Sequence, residues 1–350
     1  MANKNLSYHE SLDRKNVQKL RKLLEILPPY TTDFFRELEP RTSSRTRIAY
    51  AHDLKVFFFY LVQELPAFQD KTPTQITLEE LAELKAIDLE KYLEYLKYYQ
   101  QEQTERTNKE QGLMRKLSSL KSFFRYFYLR ERIKKDPTIL LSRPKFYPKD
   151  IIRLDTEEVS SLLDEAEYGS HLSKQQKFFH QKTKLRDVAL LSLLLGTGIR
   201  VSECIGLDLN DLDQKNKGIR IRRKGGKETV IYFSEEVDQT LSLYLEQRKL
   251  SIPVKGHENA LFLSLQKKRL AVRTVENLVK KYAELITPLK RITPHKLRST
   301  YGTNLYRQTG DIYLVADILG HADVNTTKAH YAALEESRKK EARNAVKLRV

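Results

Sequence analysis

The segment from residue 186 to residue 203, RDVALLSLLLGTGIRVSE, constrains the fold most strongly. Residues 188–195 are apolar almost all round a helix, and such a helix has to be covered on every side. The pattern therefore predicts a buried central helix that begins at Arg186 and ends at Gly196-Thr197-Gly198, where glycine permits a turn. Arg200 follows that turn, and we expect it at the edge of a buried scaffold.

A second stretch, residues 291–331, concentrates side chains that act on phosphodiesters. It contains His295, Arg298, His321 and Tyr331. An arginine guanidinium is planar and permanently charged, so it matches two phosphate oxygens at once. Histidine donates hydrogen bonds or moves protons, and tyrosine can attack phosphorus to form a covalent ester. Pro294 suits the first turn of a helix, which would place His295 and Arg298 on one face.

Between these stretches the sequence GIRIRRKGGKETVIYF predicts a β-hairpin. Apolar residues alternate on both sides of a Gly225-Gly226 turn, and Lys224 and Lys227 flank its tip. A lysine at a tight turn is usually only exposed to solvent. A lysine on a hairpin tip can also reach into a phosphate site, and both interpretations stay open at this point.

Charge indicates the partner. Lys and Arg number 63 against 46 Asp and Glu, a formal net charge of +17, which favours nucleic acid. An anionic membrane surface is the competing partner, but the basic residues are spread along the chain rather than clustered.

The single Cys204 predicts no internal disulfide and is expected to be buried as a small apolar residue. Without a secretion signal or an apolar span in the sequence, we expect a cytoplasmic protein.

Residues 1–141 read as almost entirely helical, including a helix that starts at Asp88 and continues through Gln101. In the last of these helices, residues 115–133, the Phe side chains are assigned to a core. Its cations are candidates for DNA binding, with an ordinary solvated helix face as the alternative. These candidates are Arg115, Lys116, Lys121 and Arg125.

Two prolines and no helical period predict a linker at residues 142–153. The expected organisation is a helical domain (1–141), this linker, and a second domain (154–350) that ends in a charged tail helix. The second domain also holds a polar, basic insertion at residues 169–184. The fold class is mainly α with a small antiparallel sheet.

The ordered segments TGIRVSE, RRKGGKE, TPHKLRST, LGHADVNTT and HYAAL resemble the active-site motifs of the tyrosine site-specific recombinases, the phage integrase family. The helix RKLSSLKSFFRYF also resembles the last helix of that family's DNA-clamping domain. Within that family the sequence is most similar to the bacterial Xer group, which resolves chromosome dimers, and to the single-recombinase type of that group, XerS. The resemblance implies a SAM-like helical DNA-binding domain, an α+β catalytic domain, and a homo-tetramer on double-stranded DNA with a possible translocase partner.

Carried over residue by residue, the resemblance implies a catalytic set of Arg200, Lys224, His295, Arg298, His321 and the nucleophile Tyr331. Glu203 would support this set, or it would form a structural ion pair. Neither a cofactor nor a metal is expected, and a metal site at His321 and His330 is a weaker alternative.

Two positions depart from the family pattern. Ser299 stands where the family usually has a histidine. Tyr331 lies one position further from His321 than is usual, so alignment on Thr326-Thr327 would put His330 in the nucleophile's column. We choose Tyr331 because YAAL follows the family pattern and a one-residue insertion in a short connection costs little.

Other functions share some of these features. An integrase or transposase of a mobile element would carry the same catalytic motifs. A type IB topoisomerase-like enzyme would share the chemistry. A non-catalytic DNA-binding protein would account for the charge and the helical N-terminal part, but it would leave the ordered Arg, Lys, His, Arg, His, Tyr set unexplained.

Overall fold

The computed structural model describes residues 7–101, 104–142, 152–223 and 225–320. The chain divides into two compact units, residues 1–149 and 150–350. This division falls inside the segment 142–153, most of which lies outside the described residues. The predicted fold class is confirmed, because helices dominate both units and the sheets are small and antiparallel.

The first unit is built from helices and one hairpin. Its elements are α1 (Tyr8–Leu24), α2 (Thr31–Leu38), α3 (Ser44–Glu64), α4 (Leu78–Ala82), α5 (Ala86–Tyr95), β1 (Tyr98–Gln101), β2 (Thr104–Thr107) and α6 (Glu110–Leu129). Helix α3 begins after Ser43, whose hydroxyl accepts from the backbone N–H of Thr46 at 3.2 Å. Helix α4 begins with a reciprocal capping box between Thr77 and Glu80.

The prediction of one helix from Asp88 through Gln101 was wrong at both ends. Helix α5 begins at Ala86, and Asp88 caps it from inside the first turn by accepting from the backbone N–H of Lys85 at 2.9 Å. The helix ends at Tyr95, and β1 then pairs antiparallel with β2. Tyrosine and threonine favour strands, and here a cross-strand partner is available to them.

The core of the first unit is aromatic. Phe123, Phe124 and Phe127 of α6 are all fully buried, which confirms their assignment to packing. The Phe123 ring lies edge-on to Phe34 at 5.3 Å between centroids and to Phe127 at 5.1 Å. Edge-to-face pairs of this kind add to the free energy gained from burying apolar area.

The second unit surrounds the predicted central helix. Its elements are α7 (Thr156–Tyr168), α8 (Lys174–Thr197), α9 (Val201–Gly206), β3 (Leu212–Asp213), β4 (Gly218–Arg222), β5 (Glu228–Tyr232), α10 (Glu235–Lys249), α11 (Val272–Ile286), α12 (Pro294–Thr309) and α13 (Ile312–Leu319). The strands β3, β4 and β5 form one antiparallel sheet in that order. Gly225 and Gly226 turn the β4–β5 hairpin with φ of 89° and 84°, as the sequence predicts.

Helix α8 is buried where it was predicted to be, and it packs against α7, α10 and α12. Its start was predicted too late. The helix begins at Lys174 after the N-cap Ser173, so much of the polar insertion at residues 169–184 is its first turns. Apolar periodicity could not mark these first turns, because the apolar Phe178 and Phe179 are exposed there and the polar His180 is buried.

Truncation of the aromatic core should destabilise the first unit. Phe123→Ala is expected to lower its free energy of unfolding by about 3–5 kcal/mol, because the cavity cannot be refilled without moving neighbouring rings. Urea denaturation followed by far-ultraviolet circular dichroism measures the change. Leu129→Ala, at the exposed end of the same helix, is the matched control and should stay within about 0.5 kcal/mol of the parent protein. Equal losses from both variants would contradict this description of the core.

Candidate active site

Arg200 lies in the turn between α8 and α9, where the sequence predicts the edge of the scaffold. Its backbone N–H donates to Glu203 Oε2 at 2.7 Å, and its Nη1 donates to Glu203 Oε1 at 2.8 Å. The Glu203 side chain is 5% exposed and that of Arg200 is 38% exposed. Glu203 therefore caps the start of α9 and forms an ion pair that orients the Arg200 guanidinium, and its support of catalysis stays a prediction.

Arg298 lies one turn into α12 and is 4% exposed. Its Nη1 donates to the carbonyl oxygen of Gly198 at 2.6 Å, and its Nη2 donates to the carbonyl oxygen of Leu319. His295 lies three positions earlier on the same helix and is exposed. Pro294 occupies the first turn of α12, as predicted, so the spacing of His295 and Arg298 is fixed by helical geometry.

Arg223 is a residue that sequence reasoning missed. It follows β4, and its Nη2 donates to the carbonyl oxygen of Ile318 at 2.6 Å. Burial lowers the pKa of its guanidinium, an effect that Glu203 opposes and Arg200 reinforces. The alternation of β4 could have found it. Ile219 and Ile221 are buried, and Arg223 is the next position on that side.

The three arginines meet at the C-terminal end of α13. Successive carbonyl oxygens of Ile318, Leu319 and Gly320 accept from Arg223, Arg298 and Arg200, the last at 3.3 Å. The final carbonyls of a helix have no partner within the helix and carry the negative end of its dipole. We call this cluster of three guanidiniums and three carbonyls the arginine junction. It brings together residues that are up to 120 positions apart in the sequence.

Two glycines let the backbone fit into this arrangement. Gly198 and Gly320 both end helices with φ of 61°, in the left-handed region. A Cβ on Gly198 would lie 2.4 Å from Tyr301 Cδ1, and one on Gly320 would lie 1.6 Å from Arg223 Nη1. Any other residue at these positions would displace a neighbour as well as strain the backbone.

The remaining predicted catalytic residues, Lys224, His321 and Tyr331, lie outside the described residues, as does His330. In the sequence Lys224 directly follows Arg223, and His321 directly follows Gly320. The structure therefore brings together the predicted Arg200, Glu203 and Arg298 with the flanks of two further predicted residues. The catalytic roles of all these side chains stay predictions.

The candidate DNA-binding residues of α6 have different environments. Lys116 is buried, and its Nζ lies 3.2 Å from Oδ1 of the buried Asp53, to which Arg115 also donates. Burial raises the pKa of Asp53, and these two cations oppose that rise. Lys116 thus compensates a charge inside the unit, which the sequence alone did not indicate.

Lys121 Nζ donates to the carbonyl oxygen of Leu141 at 2.8 Å, and Arg125 is exposed. The DNA-binding role of these four residues stays a prediction.

Elsewhere, Cys204 is fully buried, as predicted, and burial raises the pKa of its thiol. Among the described residues no group of His, Cys, Asp or Glu side chains is arranged to hold a metal ion. Within the same ranges, every helix is too short or too polar to cross a membrane.

Comparison with known proteins decides the family. The model of the phage integrase family matches residues 152–338, which is more than half of the chain. The chain belongs to the phage integrase family. Its members are tyrosine recombinases, which cleave and rejoin DNA. The identification fits the arginine junction, because residues 200, 298 and 320 all lie inside the matched segment.

Curated relatives of the family extend the similarity over nearly the whole chain. The tyrosine recombinase XerS of Lactococcus lactis subsp. cremoris (strain MG1363) is 30% identical, over 92% of this chain and 97% of its own. The tyrosine recombinase XerC of Caldanaerobacter subterraneus subsp. tengcongensis is 33% identical, over 91% of this chain and 86% of its own.

Solved structures support the fold. The XerH site-specific recombinase, bound to a palindromic difH substrate in a post-cleavage complex, matches with a TM-score of 0.65 and 20% identity. That match covers 86% of this chain and 79% of XerH. The Tn1549 transposon integrase in complex with circular intermediate DNA has a TM-score of 0.61 and 22% identity, covering 85% of this chain and 93% of its own.

The close approach at Gly198 should make this glycine indispensable to the recombinase. Gly198→Ala is expected to destabilise the second unit by more than Gly256→Ala, its matched control. Gly256 also has a positive φ, of 87°, but a Cβ there meets nothing within 4 Å. The control should lose only the cost of left-handed backbone, about 1–2 kcal/mol. Urea denaturation of both variants gives the difference, and equal losses would contradict a clash with Tyr301.

Proposed function

We propose that this phage integrase family member is a site-specific recombinase of the Xer type that resolves chromosome dimers during chromosome partition and cell division. The proposal rests on the curated relatives, because proteins named XerS and XerC match over almost the full length of the chain. An integrase of a mobile element is less favoured, because the transposon integrase supports the fold alone at 22% identity. The family assignment also disfavours a purely DNA-binding protein.

The observation that carries the chemistry is the arginine junction. It gathers Arg200 and Arg298 at the carbonyl oxygens of Gly320 and Leu319, which come directly before His321 in the sequence. Guanidinium groups held in place before the reaction can stabilise charge that develops on a phosphorane without reorganising. The Arg200 side chain is 38% exposed, whereas Arg298 is buried.

The proposed reaction is an in-line displacement at phosphorus. The Tyr331 oxygen attacks and loses its proton to His295, while Arg200, Arg298 and His321 stabilise the non-bridging oxygens. The bond to the 5′ oxygen breaks, and Lys224 protonates the departing oxygen as general acid. The products are a 3′-phosphotyrosine ester and a free 5′ hydroxyl.

The ester conserves the energy of the phosphodiester bond. A 5′ hydroxyl from a partner strand can therefore attack it and release Tyr331, which takes its proton back. Strand transfer follows without ATP, and hydrolysis is not needed to complete the cycle. Transfer of the ester to a hydroxyl of another strand, rather than to water, distinguishes a recombinase from a nuclease.

Double-stranded DNA is the proposed partner. The net charge of +17 suits a polyanion, and binding of this kind weakens steeply as salt rises. By analogy with the family, four copies would assemble on two DNA sites and pass through a Holliday junction. The tail after Leu334 would dock on a neighbouring copy, a DNA translocase is a possible additional partner, and the setting would be the cytoplasm.

Tyr331→Phe should abolish formation of the covalent protein–DNA adduct, because phenylalanine has no nucleophilic oxygen. Denaturing gel electrophoresis with a nicked DNA site detects the adduct. Tyr313→Phe is the matched control, since Tyr313 is 72% exposed on α13 and should leave the adduct yield unchanged. An adduct that persists in Tyr331→Phe and disappears in His330→Ala would place the nucleophile at residue 330.

Arg200→Ala should slow adduct formation by a factor on the order of 100 or more, because one charge-assisted donor to the phosphorane is lost. Rapid-quench sampling at saturating protein separates this loss from weaker binding. Arg220→Ala is the control, because Arg220 is 53% exposed and pairs only with Asp211 among the ion pairs of the described residues. Equal rates for both variants would remove Arg200 from the reaction.

Dimer resolution itself is tested with DNA that flanks the protein's own gene. Two direct copies of that DNA on a plasmid should yield deletion circles, and loss of the gene should leave chromosome dimers unresolved at division. Relaxation of supercoils without deletion products would instead indicate a topoisomerase. Products that require DNA from a mobile element would indicate an integrase.

A further inference from the structure

We propose that Arg223 is a positioning residue that ties the β4–β5 hairpin to the C-terminal end of α13. The contact holds the residue that follows β4, directly before Lys224 in the sequence, against the end of α13, just before His321. The inference rests on the proposed function, because it takes Lys224 as the general acid and His321 as a phosphate ligand.

Arg223 contacts two elements with two different parts of its structure. Its backbone closes the hairpin tip: its N–H donates to the carbonyl oxygen of Lys227 at 2.8 Å, and its carbonyl accepts from Gly226 at 3.1 Å. Its side chain leaves the hairpin, and Nη2 donates to the carbonyl oxygen of Ile318 at 2.6 Å. One residue therefore joins the hairpin, at the position directly before Lys224 in the sequence, to the end of α13.

The fit against Gly320 indicates that this contact is built into the fold. The position where a side chain at 320 would begin lies 1.6 Å from Arg223 Nη1, so the guanidinium occupies the space that the glycine leaves. Nη1 is buried and has no hydrogen-bond partner among the described residues. A cation that served only DNA binding would stay solvated, because burying such a donor costs free energy.

The other arginines of the junction have different connections. Arg200 is fixed by Glu203, and Arg298 bridges the turn at Gly198 and the carbonyl of Leu319. Arg223 belongs to the hairpin itself, so loss of its contact with Ile318 would act on the hairpin, and hence on proton donation by Lys224.

A change of leaving group separates this role from a direct one. If the bridging 5′ oxygen is replaced by sulfur, the leaving group is a thiolate of pKa about 8.5, which departs without a proton. Arg223→Ala should slow cleavage of the oxygen substrate by roughly 10- to 100-fold, within the range of a misplaced general acid. On the sulfur substrate it should cleave within about threefold of the parent protein.

Three variants calibrate the comparison, all measured as single-turnover adduct formation at saturating protein. Lys224→Ala should likewise cleave the oxygen substrate slowly and the sulfur substrate within about threefold of the parent protein. Arg298→Ala should be slow on both substrates, because charge on the phosphorane develops in either case. Arg222→Ala, the matched control, removes the same charge from the exposed neighbouring position and should match the parent on both substrates.

If Arg223→Ala is equally slow on both substrates while Lys224→Ala regains its rate on the sulfur substrate, the positioning role is overturned. The proposed function then stays intact. Lys224→Ala that fails to recover would instead overturn the proposed general acid. Arg223→Ala as fast as the parent on the oxygen substrate would overturn the inference directly.

A double-mutant cycle tests the contact between Arg223 and residue 320 without reference to Lys224. Gly320→Ala alone should slow cleavage by displacing the guanidinium. The same substitution should slow cleavage less in a protein whose Arg223 is already alanine. Residues in contact give such non-additive effects, whereas independent sites add. Additive losses would overturn the contact, and urea denaturation of each variant shows that folding is retained.

Discussion

The second unit depends on how the last carbonyls of α13 are satisfied. A helix that ends inside a protein presents carbonyl oxygens with no partner of their own, together with the negative end of its dipole. Here three guanidiniums supply the donors and the positive charge. Each guanidinium comes from a different element, so the arginine junction fixes the turn after α8, the hairpin and α12 at the same point.

This arrangement links stability to the chemistry of the recombinase family. The arginines that are proposed to clamp the phosphate are also those that hold the scaffold, and Glu203 keeps one of them oriented. Arg298 is buried and bridges two backbone segments, whereas Arg200 remains partly open to solvent. Positioning donors before substrate arrives is the condition under which electrostatic stabilisation of a transition state is most effective.

The first unit shows the same use of charge for structural purposes. Lys116, a candidate for DNA binding, is buried against the carboxylate of Asp53, which the partly exposed Arg115 also contacts. Helical periodicity could not distinguish an outward cation from an inward one, because the acidic partner lies on another helix. The Phe side chains of α6 were assigned correctly, since apolar residues at helical spacing have few alternatives to burial.

The sequence by itself determined the buried central helix, the hairpin turned by two glycines, the helix starts at Ser43 and Thr77 and the ordered set of catalytic residue types, because these features depend on neighbours within a few positions. Only the tertiary structure decided both ends of α5, the start of α8, the hairpin of β1 and β2, and the place of Arg223. Strand pairing and the partner of a buried donor depend on groups far away in the chain. The carbonyl oxygen that binds Arg223 lies 95 positions from it, and no local pattern encodes that contact.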